Sequence, residues 1–522
     1  MVCKGRRNRK TFSSRTVIVV IVLLLTPIGL TGKPPQEGYS SQESWKDCKS
    51  GDPVRSVEGC SAIIQSGHER GATLAEAFTY RGLAYRLKGD YEHAIQDYGQ
   101  ALRIQSTNTR AYVGLGGTYL LKKDYDTAIE EYERALRFSP GLAKAFYGRG
   151  LAYAGKGQYA RAIADFNQAL RIDRTDASFY AARANAYENN GDYDRAIQDS
   201  DESLQLNPNQ SDALKNRGYA YEREGNYDRA IQDFGQALRL NNKDAYAFLY
   251  RGLAHAAKGD HERAISDYNQ ALLIDSGYLE ALSCRAWEYM HAGDYDRAIQ
   301  DFDQALKLNP NSAIALYGRG LAYSHKGNHH QALQDYNEAL KINPTYAPAL
   351  DNRASEYMRI GDSNRAIQDF SQGLRLDPTN TIAMNSLGAL YSQRRVYPFA
   401  IQIFNQAIQL NPNYADAFYN RGLAYSHRGE YDRAIQDYDQ AIRLKPIDAD
   451  EFAARSAAYE HTGAYSRMMD DWVHWLWLKY GPVGLAIRLL ALAVALALAR
   501  RRRPRKSGRA LKKRDETTSL SV

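Results

Sequence analysis

GDYDRAIQD, residues Gly191–Asp199, recurs unchanged at Gly293–Asp301, three steps of 34 residues further on. Near copies stand around it: GDYEHAIQD from Gly89, GNYDRAIQD from Gly225, GDHERAISD from Gly259 and GEYDRAIQD from Gly429. The second residue of the stretch falls at 90, 124, 158 and onward to 464, twelve copies without an insertion or deletion. A period this strict makes the chain a repeat array, and every other feature is read against it.

Counting each repeat from Ala75 as its first place, the two halves both show helical periodicity. Tyr91, Ala94, Ile95, Tyr98, Ala101 and Leu102 form one apolar stripe at steps of three and four. Phe78, Gly82 and Tyr85 do the same in the first half. Between the halves stands Gly-Asp, where glycine takes the left-handed conformation that ends one helix and aspartate accepts the free amides that start the next. Pro140, Pro208, Pro310, Pro344, Pro378, Pro412 and Pro446 close seven repeats. Each repeat therefore reads as a helix–turn–helix hairpin, and hairpins this short bury a core only by stacking on neighbours.

Gly82, Tyr85, Tyr91, Ala94, Tyr98, Ala101 and the closing proline resemble the tetratricopeptide repeat in type and spacing, from Ala75 to about Tyr480. The resemblance implies an all-α fold, a right-handed α-α superhelical solenoid, whose first helices line a concave peptide-binding face. One departure stands out. The family prefers leucine in the seventh place, and ten repeats here carry arginine, with an acid sixteen residues on, as in Arg183 with Asp199 and Arg285 with Asp301. The tenth repeat loses both together, as Leu387 and Ile403. A structural ion pair within each repeat is expected, because removing one partner would strand a buried charge. The second repeat, with Leu115 beside Glu131, does not follow this pattern.

Ahead of the array, residues 45–74 read as a degenerate repeat that caps its open end. Its Cys48 and Cys60 occupy the places that face each other across a hairpin and hold glycine or alanine elsewhere. A disulfide is expected there in an oxidising compartment, in preference to a pair of small buried residues. Residues 33–44 are a Pro/Gly/Ser-rich linker. Residues 1–32 read as a signal peptide, six basic side chains within the first 15 residues preceding the apolar run Val17–Leu30, with an uncleaved signal anchor as the alternative.

The far end changes character. Trp472, Trp475, Trp477 and Tyr480 precede an apolar run over 482–499, broken by Arg488, and a basic tail over 500–522. This order predicts a transmembrane helix with an aromatic interface belt and a cytoplasmic tail. The array would then lie on the exported, periplasmic side of a cytoplasmic membrane, tethered to it as a single-pass protein.

Net charge is +8. The segments 1–15 and 500–522 together hold sixteen basic side chains against two acidic ones, a surplus of fourteen that leaves residues 16–499 at −6. An acidic array with no basic stripe argues against nucleic-acid binding. Eleven of the 39 tyrosines fill the eleventh place, where packing between helices accounts for them. No nucleophile motif, phosphate loop or metal-ligand spacing occurs, so no enzyme activity, cofactor or metal is expected.

Carrying over the family's groove places gives Tyr147, Tyr317 and Tyr419 in the fifth place, and Leu151, Tyr219, Leu253, Trp287, Leu321 and Leu423 in the ninth. The thirteenth place gives His291, with His325, His427 and His461. An apolar, aromatic groove suits an extended peptide or amphipathic helix, with Trp287 as an anchor. The expected function is a membrane-tethered protein–protein interaction scaffold, acting in assembly, export or signalling in the cell envelope. The alternatives are a periplasmic chaperone-like holder of unfolded clients and a structural spacer.

Overall fold

The computed structural model describes residues 41–501, and within them the chain is a solenoid of 26 α-helices. The expected signal segment over 1–32 and the basic tail beyond residue 501 lie outside the described residues. The chain divides into two compact units, residues 1–310 and 311–522.

In the N-terminal unit, the repeat that begins at Leu279 shows how the sequence dictates the hairpin. Helix α15 (Leu279–His291) is followed by α16 (Tyr295–Leu308). Gly293 between them has φ 74°, open to glycine at no steric cost. The Asp294 side chain accepts the Arg297 amide at 3.1 Å, and its other oxygen accepts Arg297 Nε at 2.6 Å. The Arg297 guanidinium then lies 4.5 Å from the Tyr289 ring centroid. Gly293, Asp294 and Arg297 of this stretch thus serve the turn or the helix start. Lys123 and Arg395 hold the glycine's place in two repeats and keep its positive φ, 62° in both.

The two helices of a repeat close around an aromatic ring. In the first repeat, a Cβ on Gly82 would lie 3.0 Å from the Tyr98 ring, so the glycine makes room for it. Tyr98, Phe166, Phe234 and Phe302 are fully buried in this way in the N-terminal unit, as are Tyr336, Phe370, Phe404 and Tyr438 in the C-terminal unit.

The seventh-place arginine ties together the ten hairpins that carry it. Arg285 Nε and Nη2 donate to the two oxygens of Asp301 at 2.7 and 2.6 Å, a bidentate pair with the carboxylate 4% exposed. Arg183 does the same to Asp199, at 2.7 and 2.6 Å. The arginine also reaches the preceding repeat: Arg285 Nη1 donates to Asn269 at 2.5 Å, Arg183 Nη1 to Asn167 at 2.6 Å and Arg353 Nη1 to Asn337 at 2.8 Å. In the tenth repeat Leu387 and Ile403 are both buried in one apolar cluster. In the second, Glu131 takes a local partner, Arg134, at 2.7 Å.

At the start of the array, α1 (Ser41–Cys48) begins inside the stretch read as linker, and α2 (Pro53–Ser66) follows after the Asp52 cap. A disulfide joins Cys48 to Cys60, with Cα atoms 4.6 Å apart. Trp45 donates to Glu69 at 3.1 Å and closes this end.

The expected transmembrane helix over 482–499 is not upheld. Among the described residues no helix is long and apolar enough to cross a membrane. Helix α26 (Tyr465–Arg501) is interrupted at Gly481, where φ is 68° and ψ −179°, with Pro482 following. Its portion before that break is the second helix of the twelfth repeat and carries Arg467, Asp470, Asp471 and Lys479. Without a span the interface belt falls too. Trp472 and Trp475 are half-buried, Trp477 and Tyr480 are exposed, and Trp475 packs edge-on against Tyr480 at 6.2 Å.

Changing Asp301 to Ala leaves the Arg285 charge buried without its partner, and is expected to cost about 3–5 kcal/mol. The double change Arg285→Leu with Asp301→Ile, copying the tenth repeat, should cost clearly less. Urea midpoints of the two variants decide it, and equal losses would show that the pair has no coupled role.

Candidate peptide-binding groove

The side chains expected to line a groove come from the first helix of each repeat. In the N-terminal unit, Tyr147 on α7 (Ala143–Gly155) sits between Phe166 at 5.9 Å and Phe179 at 4.9 Å, and burial pushes its hydroxyl up to about 12. Leu151 is half-buried beside it. Tyr219 on α11 (Ser211–Arg223) is buried and meets Tyr250 edge-on at 5.1 Å. Leu253 is half-buried. Trp287 is 8% exposed, with its ring edge-on to Phe302 at 5.7 Å. It is turned toward its own hairpin core, so it is not an open anchor. His291 is exposed, but its ring packs on His261 of the preceding repeat, 6.1 Å between centroids.

In the C-terminal unit, α17 (Ala313–His325) carries Tyr317, 8% exposed, whose hydroxyl accepts from Asn352 at 3.1 Å. Leu321 is half-buried. Tyr419 and Leu423, on α23 (Ala415–His427), are also half-buried, Tyr419 lying 6.0 Å from the Tyr438 ring. His427 and His461 stack on Tyr397 and Tyr431, at 5.7 and 4.3 Å. His291, His427 and His461 are thus ring partners of the preceding repeat.

Polar groups share this face. Lys215 is buried between Asp212 at 3.1 Å and Asp244 at 3.0 Å, and Asn216 donates to the Ala181 carbonyl at 2.9 Å. Asn420 donates to Asn385 at 3.0 Å. Asp351 accepts from Asn380 at 2.8 Å through one oxygen, while the other has no hydrogen-bond partner. That oxygen lies 2.5 Å from where a Cβ on Gly373 would stand. Burial holds the Asp351 carboxyl up at about 6.

Three acids on the first helices escaped the reading of the sequence. Glu288 and Glu356 stand at the tenth place, where most repeats have alanine, and both are buried. Each meets a histidine that replaces tyrosine in the repeat before: His261 Nδ1 to Glu288 Oε2 at 2.6 Å, and His329 Nδ1 to Glu356 Oε2 at 2.6 Å. Glu451, on α25 (Ala449–Thr462), is 2% exposed at the third place, where Ala77, Ala315 and Ala417 stand in other repeats. One of its oxygens has no hydrogen-bond partner. Burial, and then Asp448, push its carboxyl up to about 7. The signal was present in the repeat alignment, as a charge in a place reserved for a methyl group. Cys284 is buried. Among the described residues no group of three or more His, Cys, Asp or Glu is placed to hold a metal ion.

Family models described as tetratricopeptide repeat match residues 181–239, 215–278, 285–347 and 352–413, as well as 387–459 and 143–176. A TPR repeat model matches 82–123 and 116–157. No curated protein matches the chain. Among solved structures, it is similar to the Cut9–Hcn1 hetero-tetramer of APC/C at 14% identity, covering 85% of this chain and 93% of that one, TM-score 0.41. It is also similar to a tetratricopeptide repeat protein from Parabacteroides merdae at 20% identity, covering 48% and 98%, TM-score 0.39. A third is YrrB, titled a TPR protein with an unusual peptide-binding site, at 25% identity, covering 35% and 95%, TM-score 0.32.

The raised Glu451 carboxyl sets a pH dependence. Its folded value, about 7, exceeds that of an unfolded glutamate. The folded state therefore binds this proton more tightly, and stability is lost as pH climbs from about 4.3 to 7. Glu451→Ala, the residue common at this place, should be more stable than the native chain at pH 8 by on the order of 1–2 kcal/mol. The gain should shrink toward pH 5. Thermal melts of both chains across that range test it, and a pH-independent difference would refute the assignment.

Proposed function

We propose, from the premise that this chain belongs to the tetratricopeptide repeat family, that it is a protein–protein interaction scaffold for peptide segments of partner proteins. The supporting observation is the composition of the first-helix face. Half-buried Leu151 and Leu253 in one unit, and Leu321 and Leu423 in the other, offer apolar area beside oriented polar groups, the buried Asn216 and the half-buried Asn352. Apolar side chains give an extended peptide contact area, and fixed amides and carboxylates give it register. Trp287 and Tyr317 shape the floor of that face from within the hairpins.

Selection of a displayed 12-residue peptide library on the full chain tests this reading. Enrichment of one sequence class is expected, with binding at least tenfold weaker after Leu151→Arg or Leu321→Arg. Failure to enrich any class, or binding indifferent to both changes, would overturn it.

The array further belongs in an oxidising, extracytoplasmic compartment. Cys48 and Cys60 support this, since a disulfide persists where thiols are not kept reduced. Alkylation of thiols in intact cells followed by mass mapping should leave Cys48 and Cys60 unmodified until reduction. Free alkylated thiols at both positions would place the array in a reducing compartment.

A further inference from the structure

The C-terminal unit carries an acidic cluster that its own cation does not neutralise. Asp448 caps α25, Asp416 opens α23, and Glu451 lies one turn into α25. Lys445, at the end of α24 (Tyr431–Leu444), places its ammonium 3.1 Å from Asp448 and 3.8 Å from Asp416. Three carboxylates thus share one ammonium, and one oxygen of the buried Glu451 has no hydrogen-bond partner. Burying a carboxylate without full pairing is costly, and a chain that keeps one where its other repeats use alanine has put a charge where packing wants a methyl group.

The position of this cluster points to a ligand. Tyr419, a half-buried ring of the first-helix face, has its hydroxyl raised by burial first and then by the charges of Asp450, Asp448 and Glu451. Asp416 and Asp448 keep their carboxylates partly exposed, at 55% and 32%, forming a rim above the buried Glu451. The second, fifth, sixth, ninth, twelfth and thirteenth places of each repeat, which in the family line the concave face, hold Asp351, Asp416, Asp450 and Glu460 in the C-terminal unit against a single lysine or arginine, Arg359. Those of the N-terminal unit hold equal numbers of acids and bases. The acidic bias is local to one end of the face.

We propose that the eleventh and twelfth repeats form a subsite for a lysine or arginine side chain of a bound peptide, received between the Tyr419 ring and the carboxylates of Asp416, Asp448 and Glu451. This deepens the reading of the chain as a peptide-binding scaffold and rests on it. Lys445 shows that the rim accepts an ammonium, and a second cation supplies the charge that the cluster still lacks. An aromatic ring and carboxylates together suit a cation, which gains from the ring's face as well as from the charges. Glu451 acts through the field it adds below the rim.

The subsite has a signature beyond affinity. With its carboxyl at about 7 in the free chain, Glu451 is largely protonated at pH 6, and an incoming cation must expel that proton. Binding therefore tightens as pH rises through 7. The groups facing Glu451 are Asp448, Lys445, Asp416 and Tyr419. His461, ten residues further along α25, is about 15 Å away by helical rise and stacks on Tyr431.

The probe is a labelled ten-residue peptide of alternating lysine and alanine, compared with its glutamate and asparagine counterparts, on the full oxidised chain. The lysine peptide should bind best, with affinity about tenfold higher at pH 8 than at pH 6. Glu451→Ala, the safe replacement at this place, and Glu451→Gln should each remove most of that pH dependence. Asp432→Asn, an exposed acid on the second helix of the eleventh repeat, should leave it unchanged. Equal binding of the three peptides, a pH dependence that survives in Glu451→Ala, or displacement by micromolar calcium alone would each overturn the subsite while leaving the scaffold reading intact. Failure of all three peptides, joined to failure of the library selection, would instead remove the scaffold reading itself.

Discussion

A guanidinium presents its donors in fixed directions, and this array depends on how ten of them are used. Two donors of Arg285 grip Asp301 across the hairpin and a third crosses to Asn269 in the repeat before. A leucine in the same place would pack the hairpin equally well, and would carry no information about its neighbour. The arginine links intra-repeat closure to inter-repeat spacing, so a repeat that shifts along its neighbour breaks a charge-assisted bond. That constraint fits the absence of any insertion or deletion over twelve copies. It also makes each partner costly to lose alone, because the carboxylate is buried.

The hairpins were legible in the sequence because their signals are local. Gly293 and Asp294 each perform one conformational task, and the 34-residue period multiplies the signal. The groove was less legible. A ninth-place aromatic can face outward or lean into its own hairpin, and periodicity places the Cβ without fixing the ring. Trp287 leans inward because Phe302 offers it an edge contact. His291 was read as a groove ligand, yet its ring lies on His261, a contact made across repeats and invisible within one. The apolar run over 482–499 reads as a span from its hydropathy, yet among the described residues no helix is long and apolar enough to cross a membrane.

Departures from the repeat carry the remaining information, and they fall into two kinds. Some are compensated. Leu387 and Ile403 replace a whole ion pair with a whole apolar contact. Glu288 and Glu356 each enter an alanine place, and in both cases the repeat before exchanges tyrosine for a histidine that reaches the new carboxylate at 2.6 Å. In each instance a second substitution answers the first, and a structural role suffices.

Glu451 is the departure without an answer. No histidine or arginine has moved to meet it, and its nearest charged neighbours are two acids and a lysine that bonds to Asp448. Asp351 shares the trait in weaker form, since Asn380 satisfies one of its oxygens and the other is left bare. Both stand on first helices of the same unit, and both carboxyls are held well above the ordinary range by burial. A chain that balances its buried charges at ten arginines and two glutamate–histidine pairs has the means to balance these. Leaving them unmatched makes the face selective, because a cationic peptide gains the pairing that the fold withholds, whereas an anionic one meets an added repulsion.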